Sequence, residues 1–216
     1  VEIPLPDAEI VDAEREVVVL VIGESARSAN FSLYGYERDT NPLLRADSVV
    51  TYNAVASATS TTVAVKAILD HKPTGKLYEI MPNYLSRNGV DVVWRSTNFG
   101  EPPLHIASRS NLQRLRERYP DADARYDGIL LAGLKEEIEA SEADKMLVVL
   151  HTNTSHGPTY NKKYPEEFER YVPVCTTVEM SKADRQELIN AYDNTILYTD
   201  YLLHSLIEIL RSVERP

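Results

Sequence analysis

The chain has 216 residues, of which 43% are apolar, and a formal net charge of −10. This length suffices for one α/β domain with a continuous core and is short for two. The acidic surface disfavours nucleic acid as a partner, because it repels the phosphate backbone. With Cys175 as its one cysteine, the chain has neither an internal disulfide framework nor a multi-cysteine zinc site.

The N-terminal lead, residues 1–16, is polar, contains prolines and begins with Val1 rather than methionine. We interpret it as a linker from a removed membrane-anchoring region. The sequence has no run of the roughly 20 apolar residues that a membrane-spanning helix needs. We therefore expect the fragment itself to be soluble.

Apolar runs rich in β-branched residues predict three buried strands, at Val17–Ile22, Val90–Trp94 and Met146–Leu150. Helical patterns fall between and after them, at Val63–Leu69, Tyr78–Arg87, Asp127–Ala140 and Ser181–Arg211. This alternation predicts an α/β fold with a mostly parallel central sheet and helices on both faces. We also expect a β-like segment at Val49–Val55 and no regular structure over Arg95–Asn111.

Polar side chains follow the carboxyl ends of all three predicted strands. Glu24 follows the first strand, Ser96 and Asn98 the second, and His151 and His156 the third. Ligands collect at this edge of open α/β sheets. A carboxylate, an amide and two imidazoles are therefore expected to form a metal and substrate site there.

A cluster of hydroxyl side chains, Thr59-Ser60-Thr61-Thr62, precedes the helical pattern of Val63–Leu69. A threonine at a helix N-terminus suits nucleophilic attack on phosphorus, because the helix dipole and a bound divalent metal both favour the alkoxide. Ser and Thr are also common helix caps, and capping is the more frequent role of such a cluster by roughly four to one. Glu24 has a similar alternative, as a helix cap or a solvated carboxylate. The residues alone leave both roles open.

Taken in order, these segments resemble the soluble catalytic domain of phosphoethanolamine transferases, which belong to the alkaline-phosphatase/sulfatase-like superfamily. The resemblance extends from Val17 to about Leu203. It is carried by Val17–Arg27, Ser32–Pro42, Trp94-Arg95, Leu150-His151, His156-Gly157-Pro158, Tyr164-Pro165, Val172–Cys175 and Leu188–Asn194. We therefore assign residues 17–216 to the N-terminal part of a sulfatase-like catalytic domain.

The resemblance implies a zinc ion held by Glu24, by a nucleophilic threonine and by an Asp-His pair in a later Ser-Asp-His-Gly segment. Counting without gaps from Tyr52 and Ser57 points to Thr62 as nucleophile and zinc ligand. The Thr-Ser-Thr pattern points instead to Thr61. We favour Thr62 modestly.

By the same resemblance, the threonine attacks phosphatidylethanolamine, releases diacylglycerol and passes phosphoethanolamine to lipid A or another envelope glycan. His156, and less directly His151, are expected to face the donor or acceptor phosphate or a second metal, with Asn98 nearby. The parent protein is expected at the periplasmic face of the bacterial inner membrane, attached through the removed N-terminal region.

The chain departs from the lipid A enzymes in two respects. Their cysteine pairs are absent, since Ala58 and Ala67 stand near the nucleophile and Cys175 has no partner. The chain also ends at Pro216, before any Ser-Asp-His-Gly segment. We therefore expect a truncated or cleaved piece with weak or no zinc binding and no turnover by itself.

Two alternative functions stay open. A sulfatase- or phosphatase-like hydrolase is disfavoured, because no Cys-x-Pro-x-Arg-like setting precedes Val63–Leu69. The second alternative is a catalytically retired module that binds an envelope lipid or a protein, and the missing cysteines and ligands favour it. Downstream sequence with or without an Asp-His pair would separate this module from the enzyme.

Overall fold

A four-stranded parallel sheet forms the centre of the computed structural model, which describes residues 2–12, 14–72, 74, 76–179 and 183–214. In spatial order the strands are β1, β4, β2 and β3, and every pairing is parallel. Their bounds are β1 Glu16–Ile22, β2 Asp91–Ser96, β3 Ser108–Ser110 and β4 Lys145–His151. The prediction of a mostly parallel sheet is confirmed.

Strand β4 is buried on both faces, which explains its uninterrupted apolar run. Met146, Val148 and Leu150 contribute to one core, whereas Leu147 and Val149 contribute to the other. Successive side chains of a strand point to opposite faces, so a strand covered on both sides needs apolar residues at every position. Each such side chain stabilises the fold by about 1.5–3 kcal/mol relative to exposure.

Helices cover both faces of the sheet, as predicted. Their bounds are α1 Pro42–Ala46, α2 Thr61–Leu69, α3 Met81–Arg87, α4 Leu112–Arg118, α5 Leu134–Ala140 and α6 Arg185–Ser212. Leu115, Ile138 and Leu206 bring α4, α5 and α6 into the first core. Val65 and Leu85 bring α2 and α3 into the second. Within the described residues, no helix has both the length and the apolar character to cross a membrane.

Three of the secondary-structure predictions are wrong in part or in full. Val49–Val55 forms no strand, because it lies largely in solvent without a neighbouring strand. The predicted loop after β2 contains β3, which pairs with β2 along the sheet edge. The predicted helix over Asp127–Ala140 is a 3-10 turn, Asp127–Leu131, followed by α5, because Gly133 adopts φ 58° between them.

Helix α6 attaches the loops that follow β1 to the rest of the domain. Asp184 caps it, its carboxylate accepting hydrogen bonds from the N–H groups of Gln186 and Glu187. Deeper in the helix, the fully buried Asp193 carboxylate accepts hydrogen bonds from Asn30, Tyr36 and Arg38. The helix was predicted from Ser181, and residues 181 and 182 lie outside the described residues.

Residues 2–12 lie along the surface of the domain. Ile3 forms a parallel bridge with Tyr78, and Asp7 pairs with Arg87. These contacts run beside α3 on the outer side of the domain. The interpretation of residues 1–16 as a linker stays a prediction.

Candidate functional site

Three strands end level at one edge of the sheet, because Ile22 of β1 and Ser96 of β2 both pair with His151 of β4. Glu24, two residues beyond β1, lies at this edge and is 9% exposed. Its Oε2 accepts hydrogen bonds from Thr61 Oγ1 at 2.8 Å and Asn98 Nδ2 at 2.9 Å. Its Oε1 accepts one from the Ser25 hydroxyl. Side chains from three chain segments therefore converge on one carboxylate.

Glu24 keeps its negative charge despite being largely enclosed. Burial acts to raise its pKa, but the hydrogen bonds from Ser25, Asn98 and Thr61 and the nearby His156 outweigh burial. The net result is a pKa below the usual value, so the side chain is ionised at neutral pH. An ionised carboxylate beside a hydroxyl oxygen is a donor pair that divalent metal ions bind.

Thr61 is the first residue of α2, and its hydroxyl contacts Glu24 rather than capping the helix. Ser60 is the N-cap residue, and its side chain makes no capping hydrogen bond. Thr62 is exposed, and in the described part of the chain its hydroxyl makes no hydrogen bond. The geometry therefore favours Thr61 over Thr62, the reverse of the preference from sequence. One residue along a helix turns a side chain by about 100°, so the two hydroxyls cannot be interchanged.

Gly100 allows the loop after β2 to approach α2. A Cβ atom at this position would lie 2.8 Å from Thr61 Cγ2 and 3.4 Å from the Thr62 backbone nitrogen. The absent side chain thus lets Asn98, two residues earlier, lie beside Glu24. This glycine sets the distance between the loop and the candidate nucleophile.

Asn98 ties the ends of β1 and β4 together. Its Nδ2 donates both to Glu24 Oε2 and, at 2.8 Å, to the carbonyl oxygen of Thr152. Its Oδ1 accepts the N–H of Phe99 at 2.7 Å. With its amide so engaged, Asn98 orients Glu24. Its predicted contact with substrate stays a prediction.

The two histidines occupy different environments. His151 is fully buried, with Nδ1 3.3 Å from Ser96 Oγ and its ring edge-on to Trp94. Burial lowers its pKa, which favours the neutral imidazole. His156 is exposed, and its Nδ1 lies 2.8 Å from the Gly157 carbonyl oxygen. Of the two, His156 has the open face that a substrate contact needs, and both assignments stay predictions.

A profile of the sulfatase family matches residues 16–216. The chain belongs to the sulfatase family. Phosphoethanolamine transferase EptA of Helicobacter pylori is 40% identical over 205 residues, which cover 92% of this chain and 39% of the relative. The chain therefore spans about two fifths of the length of this curated relative.

Two solved domains share the fold of this sulfatase-family chain. The periplasmic domain of phosphoethanolamine transferase EptC from Campylobacter jejuni has a TM-score of 0.80 at 36% identity, covering 92% of this chain and 64% of that domain. The soluble domain of lipooligosaccharide phosphoethanolamine transferase A from Neisseria meningitidis has a TM-score of 0.80 at 30% identity, with 95% and 65% covered. The resemblance and the sulfatase-like fold predicted from sequence are confirmed.

Glu24 and Thr61 fit one part of a metal site in this sulfatase-family domain, since they present two oxygen ligands side by side. Among the described residues, the group of three acidic or histidine side chains close enough to hold a metal is Asp47, His204 and Glu208, which does not include Glu24. Arg211 pairs with both carboxylates of that group. At Glu24, the carboxylate and the Thr61 hydroxyl present two oxygens whose chemistry fits a divalent metal ion.

Asp127 is a residue of the site that the sequence analysis missed. This buried carboxylate accepts hydrogen bonds from the Thr97 hydroxyl, and from the N–H groups of Asn153 and Thr154 at 2.8 Å each. It thus joins the loop after β2 to the loop after β4, beneath Asn98. Its position at the start of an apparent surface helix concealed this role. The Asp-Gly pair, which disfavours a helix interior, was the available signal.

Proposed function

We propose that this chain carries the nucleophile and the first metal ligand of a zinc-dependent phosphoethanolamine transferase. The observation that carries the proposal is the 2.8 Å hydrogen bond from Thr61 Oγ1 to Glu24 Oε2 at the carboxyl edge of the sheet. The names of the relatives supply the transferred group, phosphoethanolamine. The donor is phosphatidylethanolamine and the acceptor is lipid A or another envelope glycan, in keeping with the lipooligosaccharide named for one relative.

Glu24 and Thr61 would hold the zinc. When bound, the metal favours the threonine alkoxide and offsets negative charge that develops on the phosphoryl group. The N-terminal end of α2 acts in the same direction, because its unpaired N–H groups carry partial positive charge beside Thr61. Asn98 holds Glu24 Oε2 in place, and the exposed His156 faces a substrate phosphate.

The transfer has two steps. Thr61 Oγ1 bonds to phosphorus while the bond to the diacylglycerol oxygen breaks, and the threonine proton ends on the released diacylglycerol. A hydroxyl or phosphate oxygen of the acceptor then displaces threonine from the phosphoethanolamine-threonine, and the acceptor's proton restores the Thr61 hydroxyl. Retention of the group on Thr61 splits one transfer between two lipids into two simpler displacements.

The cellular setting follows from these substrates. They are envelope lipids, and the solved Campylobacter relative is a periplasmic domain. We place the protein at the periplasmic face of that membrane, with residues 1–16 as the linker and 17–216 within the catalytic domain.

Mass spectrometry of lipid A tests this function in cells that express the protein from its own gene. We expect phosphoethanolamine-modified lipid A with the unchanged protein and with Thr62→Ala, and its loss with Glu24→Ala or Thr61→Ala. Immunoblotting checks that all variants accumulate equally. Unreduced modification by Thr61→Ala would refute the proposed nucleophile.

A further inference from the structure

A cavity of about 260 Å³ opens beside Ser25, between the turn after β1, the loop after β4 and α6. Tyr160 and Tyr192 form an aromatic wall, with ring centroids 5.3 Å apart and planes at 80°. Leu188 and Ile189 form an aliphatic wall. Pockets for whole drug-sized ligands occupy about 300–1,000 Å³. This cavity therefore suits a headgroup rather than an entire lipid.

Arg27, an exposed residue, lines this cavity, and its guanidinium is hydrogen-bonded to the protein through Nε. Its Nε donates to Asn30 Oδ1 at 2.7 Å, and Asn30 Nδ2 in turn donates to Asp193 Oδ1 at 2.6 Å. Asn30 and Asp193 are both buried, at 2% and 0% exposure. This chain of hydrogen bonds fixes Nε on the protein side. Together with the Tyr192 ring, whose centroid lies 6.0 Å from Arg27 Cζ, this hydrogen bond favours one orientation of the guanidinium.

The outer nitrogens of Arg27, Nη1 and Nη2, are unpaired within the described part of the chain. They make no hydrogen bond there, and no carboxylate lies within ion-pair distance of the guanidinium. In a chain with a formal charge of −10, an oriented arginine without a carboxylate is suited to an anionic ligand. The planar pair of nitrogens matches two oxygens of one phosphate.

The cavity and the candidate nucleophile site share one short turn. The Tyr192 hydroxyl accepts a hydrogen bond from the backbone N–H of Arg27 at 3.0 Å and donates one to the Ser25 carbonyl oxygen at 2.7 Å. Ser25 lies in the left-handed region, at φ 46°, and its hydroxyl donates to Glu24. Arg27 is three positions after Glu24, so their Cα atoms are at most about 11 Å apart. A ligand held by Arg27 thus lies against the same turn that positions Glu24.

We propose that this cavity is the subsite for the phosphate-bearing headgroup of the acceptor. Arg27 binds the phosphate, and the Tyr160 and Tyr192 rings pack against the attached sugar. The inference rests on the proposed function, in which the donor phosphorus lies against Thr61 and Glu24. A second anion site, on the turn that follows Glu24, serves the second substrate, because an oxygen of that substrate must reach the same phosphorus.

Titration of glucosamine 1-phosphate into the chain, followed by protein NMR, tests the subsite without turnover. We expect saturable shifts at Tyr160 and Tyr192, at least tenfold weaker binding by Arg27→Gln, and an intermediate effect for Arg27→Lys. Arg45→Gln is the matched control, since Arg45 is exposed and pairs with Asp39, and it should bind as the unchanged chain does. Equal affinities of the unchanged chain and Arg27→Gln, with Arg27→Gln folded by its NMR spectrum, would overturn the subsite.

Steady-state transfer by the protein expressed from its own gene separates acceptor from donor. We expect Arg27→Gln to raise KM for the acceptor at least tenfold and to leave KM for phosphatidylethanolamine unchanged. A rise confined to the donor KM would overturn the assignment to the acceptor. If the unchanged protein transfers nothing while Arg27-dependent binding of glucosamine 1-phosphate persists, the proposed function fails and a sugar-phosphate subsite stands.

Discussion

Glu24 and Asp193 are two buried carboxylates with three side-chain donors each, and their surroundings give them opposite roles. The donors to Glu24 are all neutral, namely Ser25, Thr61 and Asn98. The donors to Asp193 include Arg38, whose Nη1 lies 2.9 Å from Oδ2. Asp193 is therefore neutralised by an arginine of the protein. The carboxylate of Glu24 accepts hydrogen bonds from neutral side chains, and no Lys or Arg among the described residues pairs with it.

This difference separates a structural carboxylate from a ligand. A buried ion pair is costly to break, because the partner left behind keeps an uncompensated charge. A carboxylate stabilised by neutral donors keeps its attraction for a cation that arrives from solution. Burial and hydrogen bonding alone do not distinguish the two cases. The charge of the donors does.

The largest effect that we expect is the loss of transfer in Glu24→Gln. Removal of the negative charge takes away the proposed first metal ligand, so kcat/KM should fall by more than about 10³-fold, or roughly 4 kcal/mol. The midpoint of thermal unfolding should fall by only a small amount, because the amide oxygen still accepts hydrogen bonds from Thr61 and Asn98 and the Ser25 hydroxyl can rotate to accept one from the amide nitrogen. If Glu24→Gln loses activity because the variant unfolds, Glu24 would be a structural carboxylate like Asp193.

Asp193→Ala should act on stability instead. It leaves Arg38 and Asn30 without their buried acceptor, and we expect a loss of about 3–5 kcal/mol in the free energy of unfolding. For a domain of this size that corresponds to roughly 6–20 °C in thermal midpoint by calorimetry. Asp39→Ala is the control, because Asp39 and Arg45 form an exposed pair worth about 0–1 kcal/mol. Equal effects of both variants would contradict the structural role of Asp193.

Asp127→Asn should lower transfer less than Glu24→Gln does and lower stability less than Asp193→Ala does. The amide oxygen can keep the N–H groups of Asn153 and Thr154, and the NH2 group then faces the Thr97 hydroxyl. The hydrogen bonds to a charged carboxylate are lost, and we expect a cost of about 1–3 kcal/mol. Because Asp127 joins the loops after β2 and β4, we also expect kcat to fall about tenfold with Asn98 displaced. Urea unfolding and steady-state kinetics measure the two effects. A stability loss with unchanged kcat would limit Asp127 to a packing role.

The smallest effect concerns pH. The pKa of Glu24 in the folded chain lies below its ordinary value of 4.5, so its contribution to stability is present above that value and is lost as pH falls through the lower folded value. The difference in urea midpoint between the unchanged chain and Glu24→Gln should thus shrink as pH falls below about 4.5. A difference that is constant from pH 7 to pH 3 would contradict the lowered pKa.

The sequence predicts the parts of the molecule that depend on local pattern. Met146–Leu150 is a buried strand because β-branched and other apolar residues occupy successive positions. The same pattern predicts the strand at Val17–Ile22, but its predicted burial is wrong, because β1 is an edge strand in which Ile22 alone is buried and Val18 is 50% exposed. The meeting of Glu24 and Asn98 follows from parallel strands that end together. These features need only the period of the pattern and the topology of a parallel sheet.

Features that depend on three-dimensional packing were not predictable in the same way. The choice between Thr61 and Thr62 depends on the rotation of α2 about its axis, which its packing against the sheet sets. The role of Asp127 depends on two loops that are distant in sequence. The orientation of Arg27 depends on Asn30 and Asp193, which are far apart along the chain.

Localisation of the covalent intermediate tests the central claim most directly. The protein expressed from its own gene is incubated with phosphatidylethanolamine without acceptor, quenched, digested and sequenced by mass spectrometry. We expect phosphoethanolamine on Thr61, its persistence in Thr62→Ala and its absence in Thr61→Ala. Phosphoethanolamine on Thr62 or Thr59 in the unchanged protein would contradict the assignment of Thr61 as the nucleophile beside Glu24.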